Sequence, residues 1–300
     1  MLLLLKLYRI FLQIFCIPVF LSDFLDRSTG KEHSVSVWRK LSLIFKMIRN
    51  NRKIISGSTF IEHIAIATTI LRIPKDTEGV VVECGTYKGV SAANLSLVCA
   101  FVNRKLEIFD SFEGLPTPSR QDAVHTLLSR REIHTYERGA WNGTLDEVKN
   151  NIQKYGRPDV CYFNKGFFDQ TLPNFKQKAI LVWVDVDYRS SLETCVKYLW
   201  PLLQDGGYFF THEVEHSEIA SLFFSESWWR ENLNTAPPGM IGAGTGLGFK
   251  ILTGSHFSSS LGYTIKNPNK QAFAEVPQIG GMKVNLSSSF KLTSCEKGRS

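Results

Sequence analysis

Five short apolar runs alternate with helical stretches between residues 80 and 213, and this rhythm constrains the chain more than any other feature. Val80-Val81-Val82-Glu83-Cys84 is β-branched and stops at Gly85, with helical spacing over 91–102. Residues 106–109 lead into Asp110, 160–163 into a loop holding Gly166, 180–184 into Asp185, and 208–211 into His212 and Glu213. Helices are predicted over 145–155, 190–203 and 217–233, and Gly206-Gly207 reads as a turn into the fifth strand. Strands alternating with helices predict a mostly parallel sheet covered on both faces, a doubly wound, Rossmann-like α/β fold. Ligands of such sheets bind beyond the carboxyl ends of the strands. Glu83, Asp110, Gly166, Asp185, Asp187, His212 and Glu213, which end or follow the strands, are therefore the residues to weigh.

Charge divides the chain unevenly. The formal net charge is +7, and the first 53 residues carry all of it, ten basic side chains against three acidic ones. A neutral main body with a basic arm does not predict a nucleic-acid groove. Residues 1–25 are strongly apolar, but Lys6, Arg9 and Gln13 form a polar stripe and Pro18 interrupts the end, which argues against a spanning helix. No small-residue cleavage site marks a signal peptide. Two readings of this segment stay open: a helix lying in a membrane interface, or one packed on the domain or on a second subunit. Residues 34–73 predict two helices, with Ser56 and Ser58 offered as N-caps and Pro74 ending the stretch. The expected division is 1–25 as an apolar basic segment, 26–76 as a helical cap, 77–276 as the main domain, and 277–300 as a weakly ordered tail. The six cysteines, Cys16, Cys84, Cys99, Cys161, Cys195 and Cys295, form no CxxC pair, which points to a reducing, cytoplasmic setting.

The first strand-to-helix turn, Glu83-Cys84-Gly85-Thr86-Tyr87-Lys88-Gly89, has the glycines a close backbone approach to a ligand needs, and an acidic residue beside them. Asp110, at the end of the next strand, is where a carboxylate meets two ribose hydroxyls. Together they point to a nucleoside-type cofactor. No Gly-Lys-Ser/Thr is present for a phosphate loop, and the third glycine of a dinucleotide fingerprint is missing.

Phe109-Asp110-Ser111-Phe112-Glu113-Gly114-Leu115-Pro116 resembles the signature of the macrocin O-methyltransferases, the TylF-like family of class I enzymes using S-adenosyl-L-methionine. The resemblance extends, in family order, through Val82–Gly85, the block from Gly139 to Val148, the block from Asn164 to Pro173, and Asp185-Val186-Asp187-Tyr188-Arg189-Ser190-Ser191. It implies methyl transfer to a hydroxyl, typically of a sugar on a natural product, often with Mg²⁺. By the same resemblance Glu83, Gly85, Tyr87 and Gly89, with Thr86 and Ser91 among them, would hold the methionine end of the cofactor. Asp110 and Ser111 would hold the ribose, and Gly166 and Phe167 would border the adenine. Asp185 matches a cofactor-side metal ligand and Asp187 the general base.

After the fifth strand this chain departs from the family's paired aspartates, having His212 and Glu213 instead. Either Asp185, His212 and Glu213 hold a divalent ion such as Mg²⁺ or Mn²⁺, or the site is metal-free and His212 is a catalytic base alongside Asp187. Two other function classes remain as alternatives. One is a non-catalytic cofactor-binding relative. The other is a zinc hydrolase using His212-Glu213-Val214-Glu215-His216, although His212 follows a strand directly rather than sitting on a helix. Trp228-Trp229 reads as packing rather than substrate stacking, and Gly242, Gly244, Gly246 and Gly248 as a loop entering a late strand at 249–252. The expected acceptor is a small molecule or glycoconjugate, not nucleic acid, with peripheral membrane contact and a homo-oligomer left as open expectations.

Overall fold

All five residues of β1 (Val80–Cys84) are buried, as a β-branched run between two covering layers must be. It lies inside a six-stranded sheet with β2 (Leu106–Asp110), β5 (Cys161–Lys165), β6 (Ala179–Val184), β7 (Leu203–Thr211) and β8 (Gly262–Ile265). The order is β5-β2-β1-β6-β7-β8; every neighbouring pair is parallel except β7 and β8. Separately, β3 (Val124–His125) pairs antiparallel with β4 (Glu132–His134). The computed structural model describes residues 21–125, 132–134, 136–240 and 260–267, together with Leu4, Leu7, Tyr8 and Phe11. The polar stripe of Lys6, Arg9 and Gln13, the glycine series at 242–248, the strand expected at 249–252 and the 277–300 tail lie outside the described residues.

Alternation along the strands builds two cores. Val81, Leu106, Ile108, Leu181, Trp183 and Phe210 face α1 (Val37–Lys53), α2 (Phe60–Arg72), α3 (Val90–Phe101) and α4 (Leu145–Tyr155). Val80, Val82, Cys84, Phe109, Val184 and Phe209 face α5 (Phe168–Thr171), α6 (Arg189–Leu199), α7 (Ser217–Leu222) and α8 (Glu226–Leu233). The N-terminal helices share the first core with the sheet: Leu21, Phe24, Leu43, Met47 and Ile70 are all buried in it. A polar seam fixes them to α3, with Asn50 Nδ2 donating to Asn94 Oδ1 at 2.8 Å and Asn94 Nδ2 to His63 Nδ1 at 2.8 Å.

Several boundaries differ from the sequence expectations. Strand β7 begins at Leu203, not after a Gly206-Gly207 turn; its register to β6 jumps between Ala179–Leu203 and Leu181–Tyr208, and Gly206 at φ 80° absorbs the bulge. Helix α6 stops at Leu199 with Trp200 as its cap, because Pro201 has no N–H to continue the ladder. The single helix expected over 217–233 is two, broken so that Phe223 and Trp229 both reach the core at 0% exposure. Trp229 donates to Leu222 O at 2.8 Å and meets the Trp200 ring edge-on at 4.9 Å, a packing role. Thr59, not Ser56 or Ser58, caps α2, in a reciprocal box with Glu62, while Ser58 Oγ pairs with His63 Nε2 at 2.9 Å. Strand β8 had no signature strong enough to predict. Cys84, Cys99, Cys161 and Cys195 are unpaired thiols. Among the described residues no helix is long and apolar enough to cross a membrane.

Candidate active site

Register brings the site together. Cys84 pairs with Phe109 on one side and Val184 on the other, so Gly85, Asp110 and Asp185 emerge side by side at the carboxyl edge. Strand order reverses between β1 and β6, which leaves a crevice there. The crevice opens into a cavity of about 1050 Å³. Of the residues singled out in the sequence, Gly85, Thr86, Tyr87, Ser91, Asp110, Ser111, Phe167, Asp185, Asp187, His212 and Glu213 line it. Glu83, Gly89 and Gly166 stand outside that lining.

Gly85 is required by space. Its φ is 81°, and a Cβ would lie 1.9 Å from the Asp185 carbonyl oxygen. Side-chain alternation sends Glu83 inward toward α3, where Ser91 Oγ donates to its Oε1. Glu83 is fully buried and its Oε2 has no partner. Burial pushes its pKa up to about 8, with Asp185 and Asp110 adding to the rise and the Ser91 hydrogen bond opposing it. An unsatisfied carboxyl oxygen behind the turn suits a cationic amine arriving in the cavity.

Asp110 is already engaged. Its Oδ2 accepts Thr86 N at 2.7 Å and its Oδ1 accepts Phe112 N at 2.7 Å. Burial raises its pKa, and these amides pull the other way. Each oxygen keeps a second lone pair for a hydroxyl. Ser111 does not point free: its Oγ donates to Gly114 O at 2.8 Å and accepts Glu113 N at 3.0 Å, locking the turn after β2. Gly166 N donates to Asp110 O at 3.0 Å and sets the adjoining wall.

The other half of the cavity is crowded with acid. His212 N donates to Val184 O at 2.9 Å, continuing the sheet ladder and fixing where the ring starts. Its Nδ1 lies 3.4 Å from Asp185 Oδ1 and 3.5 Å from Glu213 Oε1, and its Nε2 lies 3.5 Å from Glu62 Oε1. Burial opposes its charging, but Asp185, Glu62 and Glu213 overcome that and hold its pKa well above the usual value. For Asp187, burial comes first and the charges of Glu213 and Asp185 second; both push its pKa well up. Burial also opposes ionisation of Glu213, yet His212 and Asp187 hold its pKa low. Asp187 and Glu213 thus titrate as one interacting pair, with Asp187 the more basic of the two carboxylates. Tyr87, Asp187 and Glu213 all have left-handed backbones, at φ 47°, 59° and 57°. Three such residues in the loops after β1, β6 and β7 mark strain concentrated at the cavity.

Glu62 was not among the residues expected at the site. Its only sequence signal is Thr59-x-x-Glu62, a capping box, and it does cap: Oε2 accepts Thr59 N at 2.7 Å. Its Oε1 turns instead to His212. Tyr136 and Trp141 also line the cavity; Trp141 meets Tyr87 edge-on at 5.2 Å and Tyr136 at 5.8 Å. The HExxH arrangement is not formed, because α7 starts only at Ser217 and both His212 and His216 precede it. Among the described residues, Asp185, His212 and Glu213 form a cluster whose ligand atoms lie within 4.8 Å of one another.

The family profile for Macrocin-O-methyltransferase (TylF) matches residues 55–237. Among solved structures, the O-methyltransferase NovP is 17% identical with a TM-score of 0.52, covering 70% of this chain and 83% of its own. The calicheamicin methyltransferase CalS11 is 14% identical at a TM-score of 0.47, covering 82% of both chains. No curated protein sequence matches.

Proposed function

Because the chain belongs to the macrocin O-methyltransferase (TylF) family and is an S-adenosylmethionine-dependent O-methyltransferase, we propose that its acceptor is a hydroxyl of a sugar or glycoconjugate. One observation carries this: Tyr87, Tyr136 and Trp141 share the cavity with Glu62, Asp187 and Glu213. Aromatic faces suit the apolar faces of a pyranose, while carboxylates suit its hydroxyls. A cavity of about 1050 Å³ has room for a nucleoside cofactor and an acceptor together.

The cofactor supplies a methyl group on a sulfonium. Gly85, Thr86, Tyr87 and Gly89 would hold its methionine end, and Glu83 with Ser91 would meet its amino group from behind the turn. Asp110 would take the ribose and Phe167 would cover the adenine, with Ser111 and Gly166 shaping those walls. Methyl transfer needs the acceptor oxygen aligned and stripped of its proton. Asp187 Oδ is the base in this reading, with Glu213 adjusting its proton affinity and His212 countering the local negative charge. Asp185, His212 and Glu213 are a donor set that would also fit a divalent ion, Mg²⁺ or Mn²⁺, the imidazole favouring Mn²⁺. Such an ion would supply Lewis-acid stabilisation of the acceptor oxygen.

We further assign residues 26–76 to a helical cap, 77–276 to the methyltransferase domain and 277–300 to a tail, in a cytoplasmic enzyme, with the 1–25 segment packed on the domain at its end through Leu21 and Phe24. The test is calorimetry with S-adenosylhomocysteine in EDTA, Mg²⁺ and Mn²⁺, followed by methyl transfer to a panel of glycosides and non-sugar phenols. Turnover on glycosides is the expected result; turnover confined to phenols would overturn the sugar assignment. Equal binding and turnover in EDTA would remove the metal.

A further inference from the structure

Helix α1 buries Leu43, Ile44, Met47 and Asn50 and leaves the opposite side uncovered. That outward side holds Trp38, 80% exposed, and Phe45, 71% exposed. Between and beside them stand Arg39, Lys46, Arg49, Arg52 and Lys53, all exposed, and α1 contains no acidic residue. Arg39 lies over the Phe101 ring and Arg49 over the Tyr155 ring. Lys46, Arg52 and Lys53 have no ion-pair partner among the described residues. A helix needs no such side to fold, since the buried one holds it, and exposed Trp and Phe at i and i+7 cost solvation.

We propose that this face of α1 docks on an anionic lipid surface. Three observations select that occupant. The five cations complement acidic headgroups, and the two aromatic rings between them suit the headgroup–acyl boundary. A nucleic-acid duplex would match the cations but keeps its bases stacked away from Trp38 and Phe45, and a single strand, whose bases could stack on them, is separated by the experiment below. A second copy of the same face would set like charges against each other. The chain leaves α1 at Lys53, exposes Ile55 (71%), and lines the catalytic cavity from Ser56 onward. Docking therefore holds the cavity beside the bilayer. None of these residues belongs to the catalytic or cofactor walls, so the inference stands apart from the acceptor assignment.

The experiment is co-sedimentation of the full chain with vesicles of phosphatidylcholine alone, or of equal parts phosphatidylcholine and phosphatidylglycerol. Binding to the mixed vesicles only, falling as salt rises, is the expected result. The K46E/R52E/K53E variant should lose binding by about tenfold or more, and W38S/F45S by a smaller factor, with S-adenosylhomocysteine affinity unchanged in both. Residues 1–25 are intact in every variant, so any loss belongs to α1. Three outcomes overturn the proposal: no binding of the wild type to anionic vesicles, undiminished binding by the charge-reversed variant, or preference for a single-stranded oligonucleotide over the vesicles.

Discussion

Around Asp110 both carboxylate oxygens are met by backbone amides, whereas around His212 the carboxylates of Glu62, Asp185 and Glu213 crowd one imidazole, with Asp187 beside them. The first arrangement is complete before any ligand arrives. Thr86 N, Phe112 N and the Ser111 hydroxyl lock the loops, so binding there spends little ordering entropy. The second is held in tension, with burial and like charges raising the pKa of Asp187 while the surrounding carboxylates raise that of His212 against its burial. One wall of the cavity is rigid and the other is crowded with acids, and in the proposed reading the first holds the cofactor while the second moves the proton.

That separation can be broken experimentally. The largest effect should come from D187N, which removes the proposed base: kcat should fall about 10²- to 10⁴-fold. Affinity for S-adenosylhomocysteine, measured by calorimetry, should stay as in the wild type. An equal loss in both would show that the two walls are not independent. G85A strikes the other wall, forcing a methyl to within 1.9 Å of a backbone oxygen at a left-handed φ. We expect about 3 kcal/mol or more of lost stability in denaturant titration, from the clash and the strain together. A normally stable G85A protein would mean that the Asp185 loop gives way easily.

D110N is milder. Weakening one charged acceptor should cost cofactor affinity about tenfold, or about 1.4 kcal/mol, with kcat at saturating cofactor preserved. The smallest effect at neutral pH, one that grows only on acidification, belongs to a buried imidazole. His63 is buried and its pKa is lowered to about 4, chiefly by burial. Asn94 donates to its Nδ1, so Nε2–H is left to donate to Ser58, and the neutral ring is what the fold accommodates. Its unfolded pKa is higher, so the unfolded chain binds more protons between the two values. The stabilisation is therefore full above about pH 6.5 and is lost as pH falls toward 4, on the order of 2 kcal/mol between pH 7 and pH 5. Thermal unfolding of the wild type against H63N across that range should show the acid limb shrinking in the variant.

The parallel strands were legible because a strand buried on both faces must be written as a continuous apolar run. Val80–Cys84 and Ala179–Val184 could scarcely be anything else. The residues at their ends were legible for the same reason, since knowing where a strand stops locates the carboxyl edge. Glu62 was not, because a capping box explains it fully in one dimension and only the fold shows its second oxygen meeting His212. Tyr136 was hidden by a connection with no periodicity of its own. The split between α7 and α8 escaped because Phe223 and Trp229 both satisfy helical spacing, and their burial decides where the helix breaks.

By itself the sequence determined the five parallel strands of the sheet, the residues at their ends, the family block around Asp110 and the charge imbalance of the first 53 residues. Each is a matter of local pattern, which burial and periodicity write directly into the chain. Only the tertiary structure decided that α1 and α2 share the core of the sheet, that Glu62 crosses to His212, and that the cationic side of α1 faces outward. Those depend on contacts between segments distant in sequence, and no local preference encodes which side of a helix is left without a neighbour.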